Sequence, residues 1–286
     1  MSNRKGIILA GGSGSRLYPS TISISKQIIP VYDKPMIYYP LSTLMLAGIK
    51  DILIISSHSD IGSFKKLLRD GSKFGIKISY AIQEEPNGIA EAFIIGKNFI
   101  DGHPSCLILG DNIFHGANLS KLLKDASNDK EHSTIFSYHV AEPGRFGILE
   151  VDNNDKVISI IEKPSMPPSN LAVTGLYFYD EEVASLCEQL SPSERGELEI
   201  TDLNNLYIKK GNLNTIKLSQ GYSWLDTGTP ESLLEASNLI YTIEKRQGLK
   251  ISCPEEVALN KGWITRDYLH SQLKINNSYN NYLKNL

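Results

Sequence analysis

The stretch KGIILAGGSGSRLYPSTISISKQIIP, residues 5–30, decides how the chain is read. Residues 6–10, GIILA, are apolar throughout, as in a strand buried on both faces. Gly11, Gly12 and Gly14 follow at once. Glycines here admit close approaches that a Cβ would block, and consecutive free N–H groups form an anion-binding concavity. Arg16 adds a guanidinium suited to phosphate. The next residues resist a helix: Pro19, Pro30 and Pro35 interrupt it, and Thr21, Ile22 and Ile24 are β-branched. A P-loop needs Lys-Ser or Lys-Thr after the glycines, and none is present. A dinucleotide fingerprint needs a third glycine where Leu17 stands. Its acidic residue would be Asp33, roughly 20 residues on, but Asp33 sits in VYDKP between two prolines rather than at the end of a second strand. What remains is a long extended loop, a feature that is usually functional in compact domains. Lys26 lies on the same loop, and two cations with a glycine nest imply a polyphosphate ligand.

Outward from this stretch, apolar runs at 51–56 (DILIIS), 76–82 (IKISYAI) and 105–110 (SCLILG) predict further buried strands. Helical patterns at 36–47, 61–69 and 89–99 lie between them. Alternation at this spacing predicts a parallel sheet covered on both faces, with right-handed crossovers. The middle of the chain changes character: STIFSYHVAEP, FGILEVDNNDKVISIIEKP and LAVTGLYFYD read as strands, with DNNDK (152–156) as a hairpin turn. They predict an added set of strands over one end of the sheet. The last third is mostly helical. In TPESLLEASNLIYTIEKRQG, Thr229 is placed as N-cap, Pro230 opens the helix, and basic residues with Gly248 end it. The fold class is α/β: a mostly parallel central sheet flanked by helices, with a small added β region and a helical C-terminal extension. The expected division is an α/β domain over 1–240 and a helical extension over 241–286 packed on it.

The net charge of -3 over 286 residues, with no basic run longer than two, argues against nucleic-acid or membrane-surface binding. Cys106, Cys187 and Cys253 are odd in number and widely spaced, as reduced thiols in the cytoplasm would be. NRKGIILAGG is too short a hydrophobic stretch for a signal peptide. MIYYPLSTLMLAGI is too short to span a bilayer and contains Pro40, so it reads as a buried helix.

Two aspartates stand where strands give way to loops. Asp111 follows SCLILG, and ligands of open parallel sheets sit outside the carboxyl ends of strands. Asp226 lies in YSWLDTGT. Magnesium takes one or two carboxylates plus phosphate oxygens and keeps several waters, so the two aspartates fit a shared Mg²⁺. Each taken alone is better read as a turn or cap residue, Asp111 capping a turn and Asp226 bonding Thr227 or the next helix start. Glu162-Lys163-Pro164 reads as an exposed hairpin end with a salt bridge, and Arg195 in SERGELEITD as a solvated loop charge.

Taken together, GIILAGGSGSRLYPSTISISKQIIPVYDKPMIYYPLSTLMLAGI, LGDNIF, EKP, SNLAVTGLYFYD, RGELEITD and WLDTGTPESLLEASNLIYTIEKRQGLKISCPEE closely resemble the glucose-1-phosphate thymidylyltransferases over almost the whole chain. The resemblance implies a Rossmann-like nucleotidyltransferase fold, Mg²⁺ and a homotetramer. It implies the reaction of dTTP with α-D-glucose 1-phosphate to give dTDP-glucose and pyrophosphate, at the start of dTDP-rhamnose and related deoxysugar synthesis. By motif, Gly11, Gly12, Ser13, Gly14, Arg16, Lys26 and Gln27 would hold the triphosphate, while Gln83, Pro86 and Gly88 would meet the base. Asp111 and Asp226 would hold the metal. Asn112, Gly147, Glu162, Val173, Thr174 and Tyr177 would contact the sugar, with Lys163 and Arg195 on its phosphate. Arg16, Lys26, Asp111, Lys163 and Asp226 would form the catalytic set. A phosphate monoester is already ionised near pH 7, so no general base is needed and none of the histidines is required.

The sequence departs from the family pattern near the base site. Glu84 and Glu85 stand where Pro-Ser is common, and Glu91 where glutamine is common. A UTP-preferring glucose-1-phosphate uridylyltransferase would share everything but the base pocket. A non-catalytic nucleotide-sugar sensor is the other alternative, although it would have no need of the metal ligands.

Overall fold

The computed structural model describes residues 3–12, 14–152 and 156–286. The opening strand is β1 (Lys5–Leu9). A short ribbon, β2 (Pro30–Val31) and β3 (Lys34–Pro35), closes the loop after it and leads into α1 (Tyr38–Leu46). There follow β4 (Asp51–Ser56), α2 (Ile61–Leu68), β5 (Lys77–Ile82), α3 (Glu91–Ile95), α4 (Lys97–Ile100), β6 (Ser105–Leu109), β7 (Asn112–Gly116), α5 (Leu119–Asn128) and β8 (Ser133–His139). The second half holds β9 (Gly147–Val151), β10 (Val157–Glu162), β11 (Leu171–Tyr179), α6 (Val183–Cys187), α7 (Ile200–Lys209), β12 (Leu213–Leu218) and β13 (Tyr222–Asp226). Helices α8 (Pro230–Gln247), α9 (Pro254–Asn260), α10 (Arg266–Gln272) and α11 (Ser278–Lys284) complete the chain.

The heart of the sheet is parallel, in the order β6-β1-β4-β5. Successive residues of these strands serve opposite faces, the period of two that strand geometry imposes. Ile8, Ile54 and Ile108 join one buried cluster with α1 and α9, while Ile7, Leu53 and Leu107 join a second with Phe93 of α3 and Leu203 of α7. Both faces are therefore dry, which is why these strands read as unbroken apolar runs.

The added strands are continuous with this sheet rather than laid over its end. β11 runs antiparallel to β6 through Leu176–Tyr179, and Ala172 then pairs with Ile148 of β9. Its other edge is occupied by β8, which carries β12 in parallel. β9 and β10 form the predicted hairpin, and Asp152 N donates to Lys156 O at 2.9 Å across its base. Residues 153–155 of the predicted turn lie outside the described residues.

Two predicted helices differ in extent. The pattern at 89–99 is divided between α3 and α4 at Gly96. A Cβ there would lie 2.9 Å from Ala92 O of α3 and 3.1 Å from Ile7 Cδ1 of β1, so a side chain at this break would crowd the α3 carbonyl and press on the Ile7 methyl. The helix predicted from 36 begins at Tyr38, which leaves Pro40 in its first turn, where the missing N–H would have had no partner.

The end signals read from the sequence for α8 hold in detail. Thr229 Oγ1 accepts from Ser232 N at 3.2 Å, Ser232 Oγ accepts from Thr229 N at 3.0 Å, and Gly248 closes the helix at φ 69°. Replacing Thr229 by alanine is expected to cost about 1 kcal/mol, read as a lower urea midpoint at unchanged slope. α8 runs across the boundary expected at residue 240. Beyond it, Val257, Ala258, Leu269 and Leu283 enter the same buried cluster as Ile8 and Ile54. Among the described residues no helix is long and apolar enough to cross a membrane. The three cysteines are free and buried.

Candidate active site

The glycine loop folds as two single 3-10 turns, Ser15–Leu17 and Lys26–Ile28, joined by turns and bends in which Ser20 N donates to Leu17 O at 2.9 Å and Ile22 N to Pro19 O at 3.2 Å, so it is more tightly folded than the extended chain expected from the sequence. Thr21 Oγ1 donates to Gly14 O at 2.9 Å and draws the loop together. Gly11, Gly12, Lys26, Gln83 and Pro86 line one pocket of about 370 Å³. Gln27 is buried behind it: its Oε1 accepts from Ser25 Oγ at 2.6 Å and its Nε2 donates to Gly11 O at 3.4 Å. Gly88 adjoins the pocket through its carbonyl, which accepts from Gln83 Nε2 at 3.3 Å. Ser13 lies outside the described residues. Ser57, Ser59 and Asp60 also line this pocket and were not singled out from the sequence. They follow β4 directly, and the rule that ligands sit outside the carboxyl ends of parallel strands already pointed to them.

Asp111 and Asp226 are brought together by the ribbon of β7 and β13, in which Asn112 lies opposite Asp226. Thr227 ties the two ends, donating from N and Oγ1 to Asp111 O at 3.1 and 2.8 Å. Asp111 is 8% exposed and forms a hydrogen-bonded ion pair with Lys26. Its other oxygen accepts from Asn112 Nδ2 at 3.0 Å. Burial alone would raise the Asp111 carboxyl. The Lys26 ammonium and the Asn112 amide outweigh it and hold the group below the usual carboxylate range. Asp226 goes the other way: burial and then the Asp111 charge raise it, against the opposing pull of Lys26, Arg16 and Arg145.

Two carboxylates, Asp111 buried and Asp226 half-buried, of which one is pushed up by the other are short of positive charge, and a divalent cation would supply it. Among the described residues no cluster of three or more His, Cys, Asp or Glu side chains could hold a metal by itself. Two carboxylates beside a glycine-lined pocket are a donor set that magnesium accepts when phosphate oxygens supply the rest. The residues present therefore fit such an ion.

A larger cleft of about 760 Å³ opens on the far side of Asp111. Arg16, Asp111, Asn112, Gly147, Glu162, Lys163, Val173, Tyr177, Arg195 and Asp226 line it. Thr174 lies between Val173 and the cleft-lining Gly175, but it is fully buried and its Oγ1 donates to Phe136 O at 3.0 Å. Lys163 adopts φ 41°, a conformation rare for side-chain-bearing residues and concentrated at functional sites. Its N–H donates to Phe146 O at 3.0 Å. Glu162 Oε2 accepts from Thr201 Oγ1 at 2.6 Å, and its other oxygen lies 3.4 Å from Lys163 Nζ and 3.7 Å from Arg195 Nη1. Arg195 also meets Glu197 at 2.9 Å and Glu199 at 3.3 Å. Burial raises the Glu199 carboxyl above its ordinary value.

Arg145, Thr201 and Trp224 line the cleft as well without having been picked out from the sequence. Trp224 had a signal, since it stands two residues before Asp226 on one strand and so shares its face. Trp224 Nε1 donates to Asn112 Oδ1 at 2.6 Å, and that oxygen also accepts from Gly175 N at 3.1 Å. Asn112 is thus fixed on one side by β11 and β13 and orients Asp111 on the other.

The profile of the nucleotidyl transferase family matches residues 5–242. A glucose-1-phosphate thymidylyltransferase of Xanthomonas campestris pv. campestris is 54% identical over 285 residues, covering 99% of this chain and 97% of that protein. One from Neisseria meningitidis is 53% identical over 284 residues, covering 99% of each. Among solved structures, a glucose-1-phosphate thymidylyltransferase of Bacillus anthracis in complex with sucrose superposes with a TM-score of 0.79 at 39% identity, covering 88% of this chain and 99% of that one. The glycine loop, the paired aspartates and the cleft beyond them lie within the matched residues, and the chain belongs to the nucleotidyl transferase family, in its glucose-1-phosphate thymidylyltransferase branch.

Proposed function

We propose that this chain transfers a thymidylyl group from dTTP to α-D-glucose 1-phosphate, giving dTDP-glucose and pyrophosphate, as the first step toward dTDP-rhamnose and related deoxysugars. The observation that carries the assignment is the partition of the site. Lys26 lines the glycine-loop pocket, and its partner Asp111 lines the larger cleft. Their ion pair stands where two anionic substrates would meet. The triphosphate lies along Gly11, Gly12 and Lys26 with its base at Gln83, and the sugar phosphate lies in the cleft beneath Lys163 and Arg195.

In the reaction a sugar-phosphate oxygen forms a bond to the α-phosphorus as the bond from that phosphorus to the bridging oxygen of pyrophosphate breaks. No covalent intermediate and no proton transfer are required, so the chain's part is positioning and charge compensation. Lys163 and Arg195 offset the charge of the incoming phosphate and aim it. Arg16, which lines the cleft beside Asp226, meets the charge that develops on the leaving pyrophosphate. Asp111 and Asp226 would hold Mg²⁺, which when bound neutralises phosphate charge and acts as a Lewis acid on the phosphoryl oxygens. A cytoplasmic homotetramer belongs to the same proposal.

Pyrophosphate release measured with glucose 1-phosphate and each of dTTP, UTP, ATP and GTP tests the assignment. dTTP is expected to be preferred. UTP is expected to be used measurably, because a methyl-sized difference in a pocket is worth about 1–3 kcal/mol. Turnover of ATP or GTP equal to that of dTTP would exclude the assignment, and a preference for UTP would make the enzyme a uridylyltransferase.

A further inference from the structure

Four charged side chains meet at the ribbon that follows the glycine loop: Lys34 and Glu244, 3% and 7% exposed, and the half-buried Asp33 and Lys250. Lys34 Nζ donates to Asp33 Oδ1 at 2.8 Å and to Glu244 Oε1 at 3.0 Å. Lys250 Nζ donates to the other oxygen of each carboxylate, to Asp33 Oδ2 and, at 3.1 Å, to Glu244 Oε2. The two ammoniums and two carboxylates thus close into a ring. Burial pushes the Asp33 carboxyl up, and the two ammoniums outweigh it and hold it below its usual range. Buried ion pairs contribute little net stability, because removing the ions from water costs about what their attraction returns. A closed ring does fix the relative position of the segments that carry it. Here these are the β2–β3 ribbon, the end of α8 and the chain entering α9.

The ribbon has two residues in each strand, too few to hold its own shape, yet it supports both halves of the site. Ile29 N donates to Lys26 O at 3.1 Å, Met36 N to Ile29 O at 3.0 Å and Ile37 N to Gln27 O at 2.9 Å, so its base is bonded to the turn that bears Lys26. Met36 Sδ accepts from Thr227 Oγ1 at 3.2 Å, and the same hydroxyl donates to Asp111 O at 2.8 Å. Val31 and Met36 share a buried cluster with Ile113 of β7 and with Ala236 and Ile240 of α8. The ring of charge holds the opposite end of the ribbon, through Asp33 and Lys34.

We propose that Asp33, Lys34, Glu244 and Lys250 are positioning residues: their closed ring sets the ribbon against α8 and so registers the Lys26 ammonium against Asp111 and the nucleotide phosphates. The proposal rests on the function proposed above. None of the four lines the glycine-loop pocket or the larger cleft. They act through Lys26 and not on the reacting atoms.

The experiment uses the neutral double variant Asp33→Asn/Lys250→Met. It removes one anion and one cation together and leaves Lys34 paired with Glu244, so it is expected to stay folded at the assay temperature. Its kcat for pyrophosphate release from dTTP and glucose 1-phosphate is expected to fall about 10- to 100-fold, the scale of a small displacement passed to a site from outside it. KM for glucose 1-phosphate should stay within about twofold. Lys250→Arg keeps the charge, and its fork can span both carboxylates, so it should recover most of kcat. A second readout needs no turnover: acetylation of Lys26 by a limiting amine reagent, quantified by peptide mass spectrometry against the exposed Lys66. In wild type Lys26 is paired with Asp111 and its side chain is 13% exposed. Its labelling is expected to rise about threefold in the double variant, the scale on which one partly exposed ion pair loosens, and not in Lys250→Arg. If the double variant keeps wild-type kcat, or if Lys26 labelling is unchanged, the ring is only a structural support and the proposal falls. Should the double variant not fold, Glu244→Gln, which keeps the shape and the acceptor for Ile251 N, is read by the same two measurements. The two failures are separable. A wild type that releases no pyrophosphate from dTTP refutes the thymidylyl-transfer assignment. The labelling then decides the role of the ring, which stands if Lys26 becomes more reactive and falls if it does not.

Discussion

Asp226→Asn and Asp111→Asn are each expected to lower turnover by roughly 100- to 1,000-fold, the scale of losing one preorganised charge-stabilising group, yet to move thermal stability in opposite directions. The reason is the asymmetry of the pair. Asp226 is raised by burial and by Asp111, so its folded carboxyl binds a proton more readily than the unfolded one. That stability is present at acid pH and is lost as pH rises through the raised folded value. At neutral pH the Asp226 charge therefore opposes folding, and Asn should raise the melting temperature. The gap between variant and wild type should close near the ordinary aspartate value of about 3.9 and open as pH rises above it. Asp111 is lowered by Lys26 and Asn112 despite its burial, so its charge favours folding above the ordinary range. Asn at 111 leaves the Lys26 ammonium, with its side chain 13% exposed, without its carboxylate, at a cost of about 2 kcal/mol. The double variant should be scarcely slower than the slower single one, because the two act as a unit. Melting curves with dTTP and Mg²⁺ against dTTP and EDTA give a readout apart from turnover. The metal should add stability to wild type and to neither variant. Losses that simply multiplied, or a metal effect that survived either substitution, would count against a shared ion.

Gly88→Ala is expected to reduce kcat/KM for dTTP by about 100-fold and to lower stability by about 2–3 kcal/mol, the range of a strained backbone position forced on a side chain. Gly88 has φ 113°, and a Cβ on it would lie 2.4 Å from Leu198 O and 2.6 Å from Leu198 N. Neither obstacle is a flexible side chain. Leu198 N donates to Asn87 O at 2.6 Å and Ala90 N donates to Leu198 O at 3.2 Å, so the base loop is bonded to this segment on both sides of Gly88. To admit the methyl group the loop must leave Leu198 and carry away the Gly88 carbonyl that helps hold Gln83. The loss should appear in KM for dTTP and much less in KM for glucose 1-phosphate, whose proposed cleft lies beyond Asp111. An alanine variant with wild-type melting and wild-type KM would show that the loop yields freely.

The alternation of two-sided apolar strands with helices, the absence of an α-helix from the glycine loop and both ends of α8 were legible in the sequence; the 3-10 turns and bends of that loop were not. Each rests on an interaction among near neighbours in the chain: period-two burial, prolines that forbid a helix, a cap with its N3 partner, a glycine at a left-handed stop. Gly96 shows where local pattern ran out. The helical period continues through it, but the helix is broken there, where the chain packs against Ile7 of β1. Nothing near Arg4 in the sequence marks it as buried, yet it is 5% exposed and donates to the carbonyls of Ser105 and Tyr179, which only the folded sheet brings to it. The composition of the site was likewise visible as residue types after strands, and its polarity was not. Asp111 and Asp226 are 115 positions apart in the chain, and nothing local states that β7 and β13 pair to set one against the other, or that Lys26 lies on Asp111 and not on Asp226. Glu91 carried the same limit. Its charge could be read as an acid near a polyanion, but its hydrogen bond to Gln83 is made across eight residues of turning chain. Pairing, burial and the direction of a side-chain amide depend on contacts distant in sequence, and these the tertiary structure alone decides.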